Sequence, residues 1–493
     1  SGVYFMKTIA STSLPARVQQ PRYDRQQLRS RIVHFGFGAF HRAHQALLTN
    51  RVLNEKGGDW GICEISLFSG DVLMSQLRAQ DHLFTVLEKG AEGNQAIVVG
   101  AVHECLNAKL DSLAAIIEKF CEPQVAIVSL TITEKGYCID PATGKLDMHN
   151  TRILHDLENP TEPHSAPGIL VEALHRRRER GLPPFTVLSC DNIPDNGHVV
   201  KNAVLGMAQK RSAELAGWID AHVSFPGTMV DRIVPAATET SLAEITQELG
   251  VEDPCAISCE PFIQWVVEDN FVAGRPEWEA AGVQMVKDVL PWEQMKLRML
   301  NGSHSFLAYL GYLAGYAHIN ECMEDASFRE AARRVMLNEQ APTLRITDVD
   351  LTAYADSLID RFANPALQHR TWQIAMDGSQ KLPQRMLDGI RVHLERKSAW
   401  PLLALGVAGW IRYVSGTDER GDAIDVRDPL SDKIQSIVKA SSEAERVNAL
   451  LTLSEVFGQD LPHNSVFVDA VNEAYQRLTR YGARQAVIET LNI

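Results

Sequence analysis

The chain has 493 residues, too many for one hydrophobic core, so two large domains are expected. Its content of 45% hydrophobic and 22% charged residues is that of an ordinary globular protein. The formal net charge of −14 argues against nucleic acid or an anionic membrane as a partner. The eight cysteines show no paired metal-ligand spacing; Cys255 and Cys259 are an isolated pair. We interpret them as reduced thiols of a cytoplasmic protein.

The chain shows no signal peptide and no membrane span. Its longest apolar run, residues 306–317, is too short to cross a bilayer and is expected to be a core helix. Residues 1–5 precede Met6, which we expect to be the natural start of the protein.

Predicted strands alternate with predicted helices in the first half of the chain. Helical patterns cover residues 41–54 and 113–120. The runs that are typical of buried strands are residues 31–35, 60–67, 96–100, 124–130 and 185–189. This alternation favours a mostly parallel sheet with helices on both faces.

Helical periods dominate from about residue 290 to the C-terminus, and we expect the helices to break at the prolines. These are Pro342, Pro365, Pro383, Pro401 and Pro429. The predicted fold class is α/β: an N-terminal Rossmann-type doubly wound sheet followed by a mostly α-helical domain. The predicted bounds are residues 1–30 for an N-terminal extension, 31–285 for the sheet domain and 286–493 for the helical domain.

Residues 292–304 place three polar side chains, Lys296, Asn301 and His304, on an otherwise apolar helical segment. At about 100° per residue they fall within an arc of roughly 140°, so all three can face one cavity. A lysine among apolar neighbours can lose its proton near neutral pH and act as a base. For the segment alone, a core helix whose lysine extends to solvent and whose histidine caps a neighbour is an equal alternative.

A glycine turn, Gly36-Phe37-Gly38, closes the first predicted strand and opens a helix, where the pyrophosphate of a dinucleotide meets backbone N–H groups. The usual third glycine is missing, and glycine also serves a tight turn for steric reasons alone. Arg42 can add positive charge towards the pyrophosphate or lie in solvent. Asp71, after the second strand, is the best-placed residue for the ribose hydroxyls, which favours NAD over NADP; a plain turn aspartate is the alternative.

Five motifs in this order resemble the polyol-specific long-chain dehydrogenase family, typified by mannitol 2-dehydrogenase, over nearly the whole chain. They are Gly36-x-Gly38-x-Phe40-His41-Arg42-x-His44, Thr131-Ile132-Thr133-Glu134-Lys135-Gly136-Tyr137, Ser189-Cys190-Asp191-Asn192, Met229-Val230-Asp231-Arg232-Ile233-Val234-Pro235 and Lys296-x4-Asn301-Gly302-x-His304. Within the family, residues 129–137, 300–313 and 372–385 are most similar to the fructuronate reductase (mannonate dehydrogenase) group.

The resemblance implies catalysis without a metal in a cleft between a Rossmann domain and a helical domain. It implies that Lys296 is the general base, that Asn192 and Asn301 hold the developing alkoxide, and that His304 orients substrate hydroxyls. Val230 and Asp231 are expected to line the site, with Glu134 assisting proton passage. The full set of predicted cofactor residues is Gly36, Gly38, Phe40, Arg42, Asp71, Thr131 and Glu134.

Without the family resemblance, several of these residues fit a purely structural role. Asn192 follows a strand end, where asparagine is a common turn former. Asp231 can form an ion pair with its neighbour Arg232, and Glu134 can be solvated in a loop. His41 and His44 have a metal-ligand character, but packing or capping is the favoured interpretation, and no metal site is predicted.

The implied reaction is NAD-dependent reduction of D-fructuronate to D-mannonate. A sugar acid needs a local positive site in this acidic protein, and Arg370, Lys381 and Arg385 are the predicted carboxylate pocket, with a solvated basic face as the alternative. Other possible functions are a mannitol, polyol or altronate (tagaturonate) dehydrogenase of the same fold, and a dinucleotide-binding sensor without catalysis. The expected partner is a small sugar acid or polyol, and a monomer is expected.

Overall fold

The computed structural model describes residues 7–493, which form two compact units. The N-terminal unit ends at Leu290, and the C-terminal unit runs over Pro291–Ile493. The expected natural start, Met6, and the first residues of the predicted extension lie outside the described residues. No helix in residues 7–493 is both long enough and apolar enough to cross a membrane.

The N-terminal unit is built on a parallel sheet with the strand order β5-β2-β1-β6-β9. Two smaller sheets, β11-β3-β4 and β10-β12-β13, and the hairpin β7-β8 complete its strands in the described part of the chain. The strands are β1 (Arg29–Phe35), β2 (Trp60–Ser66), β3 (Phe84–Gly90), β4 (Gly93–Val99), β5 (Val102–Asn107), β6 (Ile127–Leu130), β7 (Ile139–Asp140), β8 (Lys145–Leu146), β9 (Thr186–Ser189), β10 (Thr228–Asp231), β11 (Ile257–Cys259), β12 (Gln264–Glu268) and β13 (Gln284–Val286).

Helices cover both faces of the parallel sheet and form a hydrophobic core with each face. Successive residues of a strand therefore point into different cores. Ile32 of β1 packs in one core, with Leu47 of the second helix, and its neighbour Val33 packs in the other, with Ile116 and Ile169. The helices are α1 (Ala39–Ala43), α2 (Gln45–Lys56), α3 (Asp71–Ala79), α4 (Leu113–Phe120), α5 (Thr133–Gly136), α6 (Thr151–Glu158), α7 (Ala166–Glu179), α8 (Asn196–Arg211), α9 (Ala213–His222) and α10 (Glu239–Leu249). This is the predicted doubly wound arrangement, and the fold class is confirmed.

Two local predictions in this unit are wrong. The run predicted over residues 96–100 belongs to β4, which pairs antiparallel with β3 in a separate sheet, and the third parallel strand is β5. Alternation along the chain does not show with which strand a run will pair. The helix predicted over residues 41–54 is interrupted at His44, whose φ of −122° and ψ of −94° are not helical.

The C-terminal unit is helical and contains three π-helical segments, Lys296–Asn301, Val335–Gln340 and Pro383–Leu387. The segment Pro383–Leu387 continues directly from one helix into the next, so the break predicted at Pro383 is wrong. The wider π turn accommodates a residue without an N–H. The α-helices are α11 (Leu290–Met295), α12 (Gly302–Leu313), α13 (Ile319–Glu324), α14 (Ala326–Arg334), α15 (Leu351–Phe362), α16 (Thr371–Ile374), α17 (Gly378–Leu382), α18 (Asp388–Arg396), α19 (Pro401–Val414), α20 (Ser431–Ala440), α21 (Arg446–Leu450), α22 (Ser454–Phe457) and α23 (Ser465–Leu491).

Gly36 is the point where the first βα turn meets the next central strand. Its φ is +108°, and a β-carbon on it would overlap the carbonyl oxygen of Thr131, just after β6. Gly38, by contrast, has a φ of −80°, and a β-carbon there would have no protein atom within 4 Å. Only the first of the two glycines is therefore required by the fold itself.

We predict that Gly36→Ala destabilises the protein by more than about 2 kcal/mol, because it combines a disfavoured φ with a backbone overlap. Gly38→Ala is the matched control, and its free energy of unfolding should stay within about 1 kcal/mol of the natural chain. Urea denaturation of both variants measures the difference. Equal losses would contradict this account of the turn.

Candidate active site

Three of the predicted cofactor residues and the predicted catalytic residue Asn192 follow strands at one edge of the parallel sheet. Gly36 follows β1, Asp71 follows β2, Thr131 follows β6 and Asn192 follows β9. Because all these strands are parallel, their carboxyl ends share an edge, and the strand order reverses between β1 and β6. In open α/β sheets ligands bind at this switch point.

The residues in and after the glycine turn differ in exposure: Gly38 is exposed, whereas Arg42 is buried. Gly38 is exposed and caps α1 without a side chain, so a flat ligand group is able to approach its backbone. Phe40 stacks on the ring of His44, 4.9 Å between centroids. Arg42 is buried and donates to the carbonyls of Gly38 (3.3 Å) and Cys255 (2.6 Å), so it supports the turn and is not a solvated surface arginine.

Asp71 is the first residue of α3 and is partly exposed. Its carboxylate lies 3.8 Å from the ammonium group of Lys109. The preceding loop is fixed by Asn107, whose side-chain amide donates to Ser66 Oγ at 2.8 Å and to the Ser69 carbonyl at 3.0 Å. Asp71 thus begins α3 directly after an ordered loop beside the ends of β2 and β5.

Asp191 organises the loop that carries Thr131 and Glu134. Its carboxylate accepts from the backbone N–H groups of Ile132 (3.0 Å) and Thr133 (3.1 Å) and from the hydroxyl of Tyr137. Burial raises the pKa of Asp191. Glu134 is exposed, and so is Asn192, next to Asp191 in sequence.

Asn196 joins the end of β9 to β10 and was missed in the sequence. Its amide donates to the carbonyls of Asp191 (3.1 Å) and Thr228 (3.0 Å) and so sets β10, which carries the buried residues Val230 and Asp231. An asparagine seven residues after a strand has no sequence signal that separates it from a turn former.

Arg232, next to Asp231, is fully buried. It forms an ion pair with Glu88 and donates to the carbonyl of Ala43 at 2.6 Å. Arg232 therefore has Glu88 as an ion-pair partner, and the ion pair considered for Asp231 stays an alternative.

A buried polar network lies directly beneath the glycine turn. The rings of His34 and His41 stack at 3.4 Å, and His41 bonds to the carboxyl group of Glu64. His34 also contacts Ser129 Oγ at 2.6 Å and Thr131 Oγ1 at 2.8 Å. Burial raises the pKa of Glu64 to about 8 and lowers that of His41 to about 3, so the network is neutral at pH 7.

In the described part of the chain, the ligand atoms of His34, His41 and Glu64 lie within 4.8 Å of one another, a spacing that a metal ion can also use. Both nitrogens of His34 already have hydroxyl partners, which favours the hydrogen-bonded network. That the protein needs no metal stays a prediction.

In the C-terminal unit, Lys296, Asn301 and His304 are all buried, at 4%, 5% and 6% exposure. Lys296 and Asn301 are the two ends of one π turn, in which each N–H donates to the carbonyl five residues earlier, and His304 lies one α turn further on. The segment is therefore not the regular α-helix predicted from the sequence, and its three polar residues share a narrower face.

Asn301 and His304 each have one buried polar atom that makes no hydrogen bond within the described residues. Asn301 Oδ1 and His304 Nε2 are buried and have no hydrogen-bond partner among residues 7–493. Burial, followed by His369 and Arg385, lowers the pKa of His304 well below its usual value, so the ring is neutral. Buried polar atoms are nearly always paired, and a hydroxylated ligand would pair these two.

Lys381 and Arg385 both help to lower the pKa of His304, and Arg385 contacts Ser305, the residue after His304. Arg385 is 8% exposed and donates to Ser305 Oγ at 2.9 Å, and Lys381 donates to the carbonyl of Ile374 at 3.1 Å. Neither has a carboxylate within 4 Å in the described part of the chain, and burial lowers the pKa of Lys381 to about 7. We call Lys381 and Arg385 the basic pair.

Arg370 is not brought into this cluster. It is exposed, and its guanidinium lies 4.7 Å from the centroid of the Trp372 ring. Its neighbour His369 was missed in the sequence: it is buried, and its ring meets that of His304 edge to face at 5.2 Å. A histidine flanked by glutamine and arginine looks like a surface residue in the sequence.

An open parallel sheet with a glycine turn at its switch point places the chain in the class of Rossmann-type, dinucleotide-binding folds. Comparison with known families identifies the family. The model described as Mannitol dehydrogenase Rossmann domain matches residues 30–280, and the Mannitol dehydrogenase C-terminal domain matches residues 288–479. The chain belongs to the mannitol dehydrogenase family, as predicted.

Similar proteins cover essentially the whole chain. D-mannonate oxidoreductase of Escherichia coli (strain K12) is 57% identical over 98% of this chain and 99% of its own, and the uncharacterized oxidoreductase YeiQ of the same organism is 79% identical over 99% and 100%. Mannitol 2-dehydrogenase of Pseudomonas fluorescens, solved as a ternary complex with NAD and D-mannitol, superposes with a TM-score of 0.90 at 40% identity, covering 97% of this chain and 98% of that one.

The Glu64 network generates a pH prediction. An unfolded glutamate titrates near pH 4.5, so the folded chain keeps a proton that the unfolded chain releases between pH 4.5 and about 8, and the free energy of unfolding falls as pH rises through this window. The Glu64→Gln variant has no titrating carboxyl group at this position, so its free energy of unfolding should not fall with pH for this reason. Relative to the natural chain, the variant should gain on the order of a few kcal/mol between pH 5 and pH 8 in urea denaturation. A difference that stays constant with pH would show that Glu64 is ionised in the fold.

Proposed function

We propose that this protein is an NAD-dependent dehydrogenase that reduces D-fructuronate to D-mannonate. The observation that carries the proposal is the basic pair, the buried Arg385 and the partly buried Lys381, neither with a carboxylate within 4 Å in the described part of the chain, beside the neutral ring of His304. A substrate that brings its own carboxylate satisfies this site, whereas an uncharged polyol does not. The similarity to D-mannonate oxidoreductase of E. coli supports the same substrate class.

The N-terminal unit would hold the dinucleotide, which supplies the hydride when bound. The open backbone at Gly38 suits the pyrophosphate, and the partly exposed carboxylate of Asp71 suits the ribose hydroxyls of NAD. Thr131, Glu134 and Phe40 border the same edge of the sheet, and their cofactor roles stay proposals.

The C-terminal unit would supply the proton. In reduction Lys296 donates it to the ketone oxygen, and in oxidation it accepts the hydroxyl proton. The amide of Asn301, one π turn from Lys296, stabilises the charge on that oxygen, and the neutral ring of His304 hydrogen-bonds a neighbouring hydroxyl. The same oxygen-stabilising role for Asn192, and the lining role for Val230 and Asp231, stay predictions from the sequence.

Arg385 would bind the substrate carboxylate, with Lys381 adding a second positive charge. Because Lys381 has its pKa lowered to about 7, a carboxylate that binds beside it would also favour its protonated form. Arg370, exposed and stacked on Trp372, is not included in this proposal.

All eight cysteines are free and buried thiols, which supports the proposed cytoplasmic location. The monomeric state stays a prediction.

The decisive experiment is a substrate panel of fructuronate, tagaturonate and fructose, each with NADH and NADPH. We expect the highest kcat/KM with fructuronate and NADH, and a loss of about 100-fold or more in kcat for Lys296→Met, which removes the proton donor. Turnover of fructose or tagaturonate in place of fructuronate would refute the substrate and keep the enzyme class. NADH binding without turnover of any of these would indicate a dinucleotide sensor.

We further predict that Arg385→Met lowers kcat/KM for fructuronate by about 100-fold, because a charged hydrogen bond in a buried site contributes roughly 2–3 kcal/mol. The loss with fructose should be at least tenfold smaller, since that substrate has no carboxylate. Arg370→Ala is the matched control and should change neither value by more than about threefold. Equal losses on both sugars would remove the carboxylate role from Arg385.

A further inference from the structure

The three π-helical segments of the C-terminal unit pack together. We call Lys296–Asn301 the lysine turn, Val335–Gln340 the glutamine turn and Pro383–Leu387 the arginine turn. The lysine turn packs against both of the others. Proton donor and carboxylate-binding arginine thus lie on two adjacent segments whose separation the fold must fix.

Gln340, the last residue of the glutamine turn, lies where these segments meet. Its side chain is fully buried, and Nε2 donates to the backbone carbonyl of Arg385 at 2.7 Å. A β-carbon on Gly302, the residue after the lysine turn, would lie 2.7 Å from Gln340 Nε2 and 2.6 Å from the Arg385 carbonyl oxygen. A β-carbon on Gly389 would overlap Gln340 Oε1. The amide occupies a space that exists only because both neighbours are glycine.

The hydrogen bond to Arg385 also fixes which way the amide faces. The carbonyl needs a donor, so Nε2 faces it, and Oε1 is left buried with no hydrogen-bond partner among the described residues. A buried acceptor without a partner is unfavourable for stability. The Arg385 carbonyl therefore decides the orientation of the amide.

A second chain of contacts joins the same residue to the lysine turn. The backbone carbonyl of Gln340 accepts from Thr343 Oγ1 at 2.7 Å, and Arg298, inside the lysine turn, donates to the carbonyl (2.9 Å) and hydroxyl (3.0 Å) of Thr343. Arg298 and Arg385 are thereby linked through Thr343 and Gln340.

We infer that Gln340 is a positioning residue that sets the separation between Lys296 and Arg385, and therefore between the group that protonates the substrate and the group that binds its carboxylate. This inference rests on the proposed function in one respect, namely that both residues act on the same substrate. A shift of about 1 Å between such groups is enough to lower a rate by about 100-fold.

Gln340→Met tests the role, because it keeps the length of the side chain and removes the donor. We expect kcat to fall at least tenfold with the best substrate, while the KM for NADH changes less than twofold. Gln384→Met is the matched control: Gln384 Nε2 also donates to a backbone carbonyl at 2.7 Å, that of Gln380, but within one helical turn. Its kcat should stay within twofold of the natural enzyme.

A double-mutant cycle separates positioning from a general loss of packing. Gly389→Ala displaces the amide of Gln340 and meets no other atom closer than the Gln340 Cδ at 3.5 Å, so it should lower kcat by about the factor seen for Gln340→Ala. In the double variant the second change should add less than twofold. If Gln340→Met yields too little folded protein, Gly389→Ala carries the test.

Two results would overturn the inference: a Gln340→Met enzyme that unfolds more easily but keeps its kcat within twofold, or losses for Gly389→Ala and Gln340→Ala that multiply in the double variant. The ratios are measured on whichever substrate the panel selects. A wrong substrate assignment and a wrong role for Gln340 therefore give different outcomes.

Discussion

The N-terminal unit depends on the close approach of two backbones, Gly36 after β1 and Thr131 after β6. No side chain fits between them, and the contact is tied by hydrogen bonds from His34 Nε2 to Thr131 Oγ1 (2.8 Å) and from Thr131 Oγ1 to the Gly36 carbonyl (2.9 Å). Because β1 and β6 are the strands between which the sheet order reverses, this approach forms the floor of the switch point. The open backbone of Gly38 is presented to a ligand only while that floor is intact.

The C-terminal unit also contains a glycine that allows another backbone to approach closely, but here the glycine lies within a helix. Gly302 has helical dihedrals, φ −62° and ψ −49°, so no turn requires a glycine there. A glycine inside a helix costs roughly 0.5–1 kcal/mol relative to alanine, and its benefit here is the approach of the Arg385 carbonyl. In both units the residues proposed for chemistry are placed by backbone contacts that a single methyl group would prevent.

Much of this architecture is readable from the sequence because it follows from periodicity. The alternation of strands and helices predicts the doubly wound sheet, and the glycine turn marks its first βα connection. Pairing partners are not local, so β4 was assigned to the wrong sheet and β5 was missed. The π turns at Lys296 and Pro383 are set by tertiary packing, and the 3.6-residue period does not reveal them. The burial of His369, like the exposure of Arg370, depends on neighbours distant in sequence.

The electrostatics of the two units differ in a way that bears on the ligand. Beneath the glycine turn, burial shifts the pKa of Glu64 upward and that of His41 downward, so both become neutral and hold each other by a hydrogen bond. Arg385 does not become neutral, since a guanidinium keeps its proton at neutral pH even with its pKa lowered to about 10. A buried charge without a counterion is unfavourable, and the remedy that costs the fold nothing is a ligand that carries the opposite charge. The buried charge of Arg385 therefore supports the proposed sugar acid over an uncharged polyol.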